Sequence, residues 1–398
     1  INAETYAICK ADLLLKGEGD AADNIVGGPE HSTLSNDAFP AREFDFMLSN
    51  PPYGKSWKSD LERMGGKKDM SDPRFMIEHA GDPEFSLVTR SSDGQLLFLA
   101  NMLSKMKQKS KLGSRIAEVH NGSSLFTGDA GQGESNIRRW IIENDWLEAI
   151  VALPLNMFYN TGIATYIWVL SNRKPEHRKG KVQLIDATTW YKPLRKNLGK
   201  KNCELGEADI DQVMDVFLSF EETEQSKIFD NAAFGYWKVT VERPLRLVGA
   251  DPNRIYKAKE LKELKETAER SEDAPLVIKK IHKKGVIADP LRGLFETTID
   301  GKPAVVEYEP DTDLRDTEQI PLMEDGGIEA FIKREVIPHA ADAWYQEDSV
   351  KIGYEISFTR HFYKPEPMRS LEDIRADIMA LEQETEGLLS EIVGSSGR

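Results

Sequence analysis

The chain has 398 residues, 40% of them apolar and 30% charged, with a net charge of -15. That composition is globular and long enough for two or three domains. The acidic balance argues against a surface that grips a polyanion unaided, because phosphate neutralisation needs clustered Lys and Arg. No apolar run approaches the length of a membrane span, and the opening INAETYAICK lacks the basic start, apolar core and cleavage site of a signal peptide. Cys9 and Cys203 are the two cysteines, so neither a disulfide scaffold nor a CxxC metal site is expected. The seven histidines are scattered and suggest no metal or His-based chemistry. The cytoplasm is the expected location. The first residue is Ile rather than Met, which suggests a truncated or processed chain.

In chain order, residues 4–15 have helical apolar spacing. Residues 21–43, rich in Gly, Ser, Asn, Asp and Pro, read as loop. FDFMLSN at 44–50 reads as a buried strand that ends where Pro51 and Pro52 forbid its continuation. Residues 54–93 look like one long polar loop, a type that is often functional. A helix is predicted at 95–107, a strand at 115–121, a helix at 134–144, and strands at 147–154, 164–172 and 181–187. Helices alternating with apolar strands predict a parallel α/β sheet, whose sites lie outside the carboxyl ends of its strands. KGEGD at 16–20 follows a helix and reads as its end turn. TGDAGQGES at 127–135 reads as a surface turn and helix cap.

Past residue 200 the character changes. Charged helices are predicted at 206–225 and 257–270, a hairpin at 234–248, and acidic irregular chain at 301–350. The tail is the clearest segment. Leu371, Ile374, Ile378, Leu381, Thr385, Leu388 and Ile392 alternate at spacings of three and four, a heptad seam. Ser370 and Asp373 make a capping box at its start. The predicted domains are 1–200 and an α-rich 201–398, with the heptad helix at 370–393.

Asn50-Pro51-Pro52-Tyr53 is the motif that carries chemistry. An exocyclic amine conjugated to a ring is a poor nucleophile. A site that accepts hydrogen bonds from its hydrogens makes the nitrogen more tetrahedral and more reactive. The Asn50 carboxamide oxygen supplies one acceptor and the Pro51 carbonyl another. Proline fixes φ and removes a competing donor, and Tyr53 can stack on a base. A base taken out of a duplex costs a few kcal/mol, offset in part by stacking worth about 1–3 kcal/mol. At average proline usage, such a tetrapeptide arises by chance in fewer than about one in a hundred chains of this length.

FDFMLSNPPYGKSW at 44–57 resembles motif IV of amino-methyltransferases. GSRIAEVHNGSSLFTGDAGQGESNIRRWIIENDWLEAIVALPLNMFYNTGIATYIWVLSN at 113–172 resembles the modification subunits of type I restriction–modification systems. So do YKPLRKNLGKK at 191–201, FGYWKVTVERPLRL at 234–247 and several later blocks in order, over nearly the whole chain.

The resemblance implies a Rossmann-like methyltransferase sheet with its N-terminal strands missing. A mainly helical C-terminal region would follow, ending in a coiled-coil-like helix. The implied activity is transfer of a methyl group from S-adenosylmethionine to N6 of a flipped adenine. Asn50, Pro51, Pro52 and Tyr53 would be catalytic, and Phe158, Tyr159 and Asn160 would shape the target-base pocket. Implied partners are DNA, a specificity subunit held by the C-terminal helices, and a restriction subunit. Basic stretches at 105–115, 191–201 and 278–285 read first as solvated faces. An acidic chain with basic islands also suits a subunit that meets DNA inside a larger complex. The Gly-rich cofactor loop and the acidic strand end that hold S-adenosylmethionine are absent from this chain. Thr33 and Leu34 stand near the place of a cofactor-adenine contact, with Ser32 replacing the usual acid. Two alternatives remain: a non-catalytic assembly module, and a protein-glutamine N-methyltransferase. The latter shares the tetrapeptide, but the extension past residue 200 and the FYNTGI block speak against it.

Overall fold

The computed structural model describes residues 2–28, 30–159, 161–363 and 370–394, with side chains in the last helix through Leu381 and at Gln383. Residues 1–358 form one compact unit and residues 359–398 another.

The first unit opens with α1 (Ala3–Leu15), whose first turn is capped by the Asn2 side chain accepting from the Thr5 amide at 2.9 Å, and α2 (Gly19–Ala22). Then come β1 (Phe46–Ser49), α3 (Lys58–Arg63), the hairpin β2 (Met76–His79) and β3 (Asp82–Ser86), and α4 (Gln95–Leu103). The chain continues through β4 (Arg115–Asn121), α5 (Ser123–Phe126), α6 (Gly133–Glu143), β5 (Leu147–Ala152), β6 (Thr165–Ser171) and β7 (Lys181–Asp186). A second hairpin, β8 (Lys192–Leu198) with β9 (Lys201–Glu204), precedes α7 (Glu207–Ser219) and β10 (Ser226–Asp230).

The central sheet has six strands in the order β1-β4-β6-β5-β7-β10. It is mixed rather than parallel: β6 runs antiparallel between β4 and β5, and β10 pairs antiparallel with β7. β1, β4, β5 and β7 still run the same way, so their carboxyl ends share one side of the sheet. β5 is buried along its whole length, including Glu148, which meets Arg115 at 3.0 Å.

β1 is not the buried strand the sequence suggested. It is the edge of the sheet, and Phe46 and Leu48 are 67% and 83% exposed. The expected long loop at 54–93 contains α3 and the β2–β3 hairpin, closed by Ala80 and Gly81, both at positive φ (51° and 84°). That is the geometry a two-residue hairpin loop demands, although the usual Asn-Gly signal is missing.

The expectation of a mainly helical region after residue 200 is overturned. Residues 235–354 build two antiparallel sheets around α8 (Ala258–Thr267) and α9 (Gly327–Phe331). β11 (Gly235–Glu242), read as a hairpin, is one continuous strand. β12 (Ile278–Ile281), β13 (Phe295–Ile299) and β14 (Lys302–Tyr308) form a three-stranded sheet. β15 (Asp316–Pro321), β16 (Trp344–Tyr345) and β17 (Lys351–Tyr354) all pair with β11. The strands are short, and their solvent faces carry so many acids that composition mimics a loop. Their inner faces, with Val239, Val241, Ile320 and Tyr345, pack a core against Ile332 and Val336.

Arg138 joins the two layers. It is fully buried on α6, where its guanidinium donates to the carbonyls of Ser124 (2.9 Å), Thr127 (2.8 Å) and, on β17, Tyr354 (2.6 Å). Ser135 Oγ accepts from the Tyr354 amide at 3.0 Å. Burial pushes the Arg138 pKa down to about 10, so the group remains cationic at neutrality.

In the second unit, α10 (Phe358–Phe362), which begins at the boundary, precedes α11 (Leu371–Gly394). Ser370 Oγ accepts from the Asp373 amide at 3.1 Å, as the capping box requires. Of the heptad positions, Leu371, Ile374, Ile378 and Leu381 are exposed; the side chains of Thr385, Leu388 and Ile392 lie outside those described.

Two measurements test this account. Replacing Arg138 by Met strands three carbonyls, those of Ser124 and Tyr354 buried, and should lower the urea-unfolding free energy by about 3–5 kcal/mol. Arg138→Lys should recover little of it, because an ammonium cannot span the fork; a loss below about 1 kcal/mol in either variant would contradict the role. Burial also raises the phenol pKa of Tyr53, Tyr166, Tyr236, Tyr345 and Tyr354. The unfolded chain then loses these protons first as pH rises. Stability should hold below about pH 10 and fall above it. A pH series of unfolding midpoints, with tyrosinate absorbance followed in parallel, checks the sign.

Candidate active site

The tetrapeptide begins where β1 stops, at the carboxyl side of the sheet. Ser49, the last strand residue, pairs with Glu118 of β4. Asn50 is exposed, and its carboxamide makes no hydrogen bond among the described residues. Pro51 is buried, Pro52 exposed and Tyr53 half-buried. The Pro51 carbonyl likewise has no hydrogen-bond donor among the described residues. Desolvation raises the Tyr53 pKa, so the ring meets any ligand as a neutral phenol. Two unspent acceptors beside a rigid, partly dry aromatic are what amine activation requires.

Trp57, not singled out from sequence, fixes the turn from its far side. It is 3% exposed, and its indole Nε1 donates to the Arg90 carbonyl at 2.9 Å while its amide donates to Ser91 at 3.0 Å. Ser56 Oγ donates to the same Ser91 carbonyl at 3.0 Å. Gly94 lies against the indole, where a Cβ would stand 3.0 Å from Cδ1. The 88–94 segment is itself held. The Arg90 amide donates to Glu134 at 3.0 Å, and Gly133 leaves no room for a Cβ, which would fall 2.1 Å from the Val88 carbonyl oxygen. Gln95 then ties Asp93 (2.8 Å), Asn121 (2.8 Å) and Ser123 (3.0 Å) together at the end of β4. Below them on β4, fully buried Glu118 and His120 stand 3.1 Å apart. A lone Trp and a lone Gln carry no sequence signal, which is why this clamp was not foreseen.

The remaining expected site residues separate by burial. Phe158, in the loop after β5, is half-buried and packs against Leu153 and Ala187. Tyr159 beside it is 67% exposed. Asn160 lies outside the described residues. Leu34 is only 2% exposed and belongs to the core, and the Thr33 and Leu34 carbonyls are both taken by Arg74, at 2.9 and 2.5 Å. Leu34 thus points inward and both carbonyls are occupied, so these two residues do not offer the S-adenosylmethionine contact that the sequence suggested. No group of acidic, His and Cys side chains among the described residues is suited to a metal.

A mixed sheet carrying Asn-Pro-Pro-Tyr at the carboxyl end of a strand defines the class. The chain belongs to the N-6 DNA Methylase family, whose model matches residues 1–236.

Among curated proteins, it is 30% identical over 231 residues to the type I restriction enzyme MjaIX methylase subunit of Methanocaldococcus jannaschii, covering 58% of this chain and 36% of the relative. It is 28% identical to the MpnII methylase subunit of Mycoplasma pneumoniae, covering 56% and 37%. The chain thus spans a little over a third of the length of these relatives. A type I restriction-modification methyltransferase subunit from Streptococcus thermophilus has a similar structure at 23% identity, with a TM-score of 0.44, covering 59% of this chain and 44% of that one.

Trp57→Phe keeps the packing but removes the indole donor. It should cost about 1 kcal/mol and speed amide exchange selectively in residues 53–57. Unchanged exchange there would show that the Arg90 carbonyl does not hold the turn.

Proposed function

We propose that this chain supplies the base-accepting part of a modification subunit in a type I restriction–modification complex, which methylates adenine N6 in DNA. The observation that carries the reading is the unpaired Asn50 carboxamide at the strand end, followed by two prolines and a half-buried tyrosine. The Asn50 oxygen and the Pro51 carbonyl accept from the two N6 hydrogens, drawing the nitrogen lone pair out of the ring. Tyr53 stacks on the flipped base and offsets part of its unstacking cost. The rest is orientation, which the Trp57 clamp maintains. S-adenosylmethionine, when bound, would supply the electrophilic methyl group. Tyr159 and Asn160 would border the base pocket, with half-buried Phe158 packed behind them.

The family relationship also supports DNA, a specificity subunit and a restriction subunit as partners, and the exposed seam of α11 suits the specificity subunit. No helix among the described residues is long and apolar enough to cross a membrane, in keeping with a cytoplasmic complex. A second reading, an assembly module without catalysis, is favoured by one observation: Thr33 and Leu34 offer nothing to a cofactor. Retained binding to a specificity subunit together with no capture of labelled S-adenosylmethionine by the assembled complex would select it.

In the assembled complex, Asn50→Ala should reduce methyl transfer to duplex DNA by about a hundredfold or more, with circular dichroism unchanged. Transfer within a few fold of the parent would rule out the tetrapeptide as the acceptor site.

A further inference from the structure

Five cations project from one two-stranded ribbon. Lys192, Arg195, Lys196, Lys200 and Lys201 lie on β8, β9 and the turn between them, and none forms an ion pair among the described residues. Four are exposed and Lys201 is half-buried. Glu204 is the lone acid on the ribbon, opposite Lys192 in register. In a chain of net charge -15 this is a local reversal of sign.

Among the described residues, the other basic stretches keep fewer unpaired cations, Lys109 and Lys111 in one and Lys279, Lys283 and Lys284 in the other. Lys105 is bound to Asp37 and Lys107 to Asp45, and Arg115 is spent on Glu148. In 278–285, Lys280 and His282 share Glu307, and that stretch starts in the separate three-stranded sheet.

The ribbon's position is fixed by its roots. It leaves the sheet just past the carboxyl end of β7, the side on which β1 delivers Asn50. The Asn202 amide donates to the Asn156 carbonyl at 3.1 Å, and the buried Cys203 thiol donates to the Leu155 carbonyl at 3.2 Å. Those carbonyls lie just before Phe158 and Tyr159. The base of the ribbon is therefore anchored to the loop that would border the flipped base, while Leu198, Gly199 and Lys200 at its tip are exposed.

We infer that the β8–β9 ribbon is an arm that contacts the phosphate backbone of duplex DNA beside the target adenine. The inference rests on the proposed function and extends it to how the substrate is gripped. A two-stranded ribbon matches the width of a major groove, and lysines on it contribute sequence-independent, salt-sensitive binding. That division of labour leaves sequence reading to another surface.

The test is fluorescence anisotropy of a short labelled duplex with the 398-residue chain across a sodium chloride series. Replacing all five cations by Gln should weaken binding at least about tenfold and reduce the slope of log K against log salt by about 4. The tip pair alone, Lys200→Gln with Lys201→Gln, should reduce the slope by about 2, and this variant guards against misfolding of the larger one. Lys279→Gln, Lys283→Gln and Lys284→Gln together should leave the slope near that of the parent. An unchanged slope in the ribbon variants, an equal loss in the 279–284 variant, equal grip on an RNA duplex, or no duplex binding by the parent chain would each overturn the assignment. In the assembled complex, the ribbon variant should raise KM for DNA and spare kcat. A lost kcat with normal KM would overturn the arm. Retained transfer in Asn50→Ala would instead sink the acceptor reading, so the two failures are distinguishable.

Discussion

The first unit depends on one buried charge. Arg138 carries a full positive charge into the buried interior, and among the described residues no carboxylate pairs with it directly. Backbone carbonyls from the α5 end, the following loop and β17 take its donors instead. A guanidinium presents five donors in a fixed plane, so it also fixes where those three segments must lie. Burying such a group is costly unless its donors are satisfied. The two sheets therefore pack in one arrangement rather than slide. The N-terminal turn of α6 thus becomes a fixed reference, against which the Val88–Gly94 segment and then Trp57 are placed.

From that reference the polar side of the sheet is built outward in layers. Glu134 and Gly133 hold residues 88–90, residues 90–91 hold Trp57, and Trp57 holds the chain that follows the two prolines. The Asn50–Tyr53 turn itself has few bonds of its own. Asn50 and the Pro51 carbonyl are left with spare capacity, while the Trp57 indole and amide behind them are both engaged. A site that must accept hydrogen bonds from a ligand cannot spend its acceptors on the protein, so its rigidity has to come from neighbours.

How much of this was legible in the sequence depended on whether the signal was local. α4, β4, α6, β5, β6 and β7 follow from periodicity, because each buries one face or both, and the proline pair marks the end of β1 outright. The direction of β6 and β10 was not legible: strand sense depends on pairing with residues far along the chain, and neither strand differs in composition from a parallel one. The later sheets were missed because segments such as VVEYE and TEQIP bury few side chains and expose acids, so their pattern resembles loop. Leu34 shows the limit of carry-over by motif. Its position in the sequence suggested a ligand contact, but its side chain fills the core and Arg74 takes its carbonyl. Trp57 shows the converse, a residue whose importance lies in a carbonyl partner 33 positions away.

The open edge of β1 has a thermodynamic consequence. Among the described residues this four-residue strand pairs on one side only and is held by few bonds, yet it delivers Asn50. Any strand that docks on that edge lowers the free energy of the ordered strand and so favours the geometry proposed to accept a base. By reciprocity the bound base must tighten the docked strand by the same factor. Occupancy of the edge and occupancy of the site are then two readings of one equilibrium, and the exposed Phe46 and Leu48 rings and methyls set how strongly the first can drive the second.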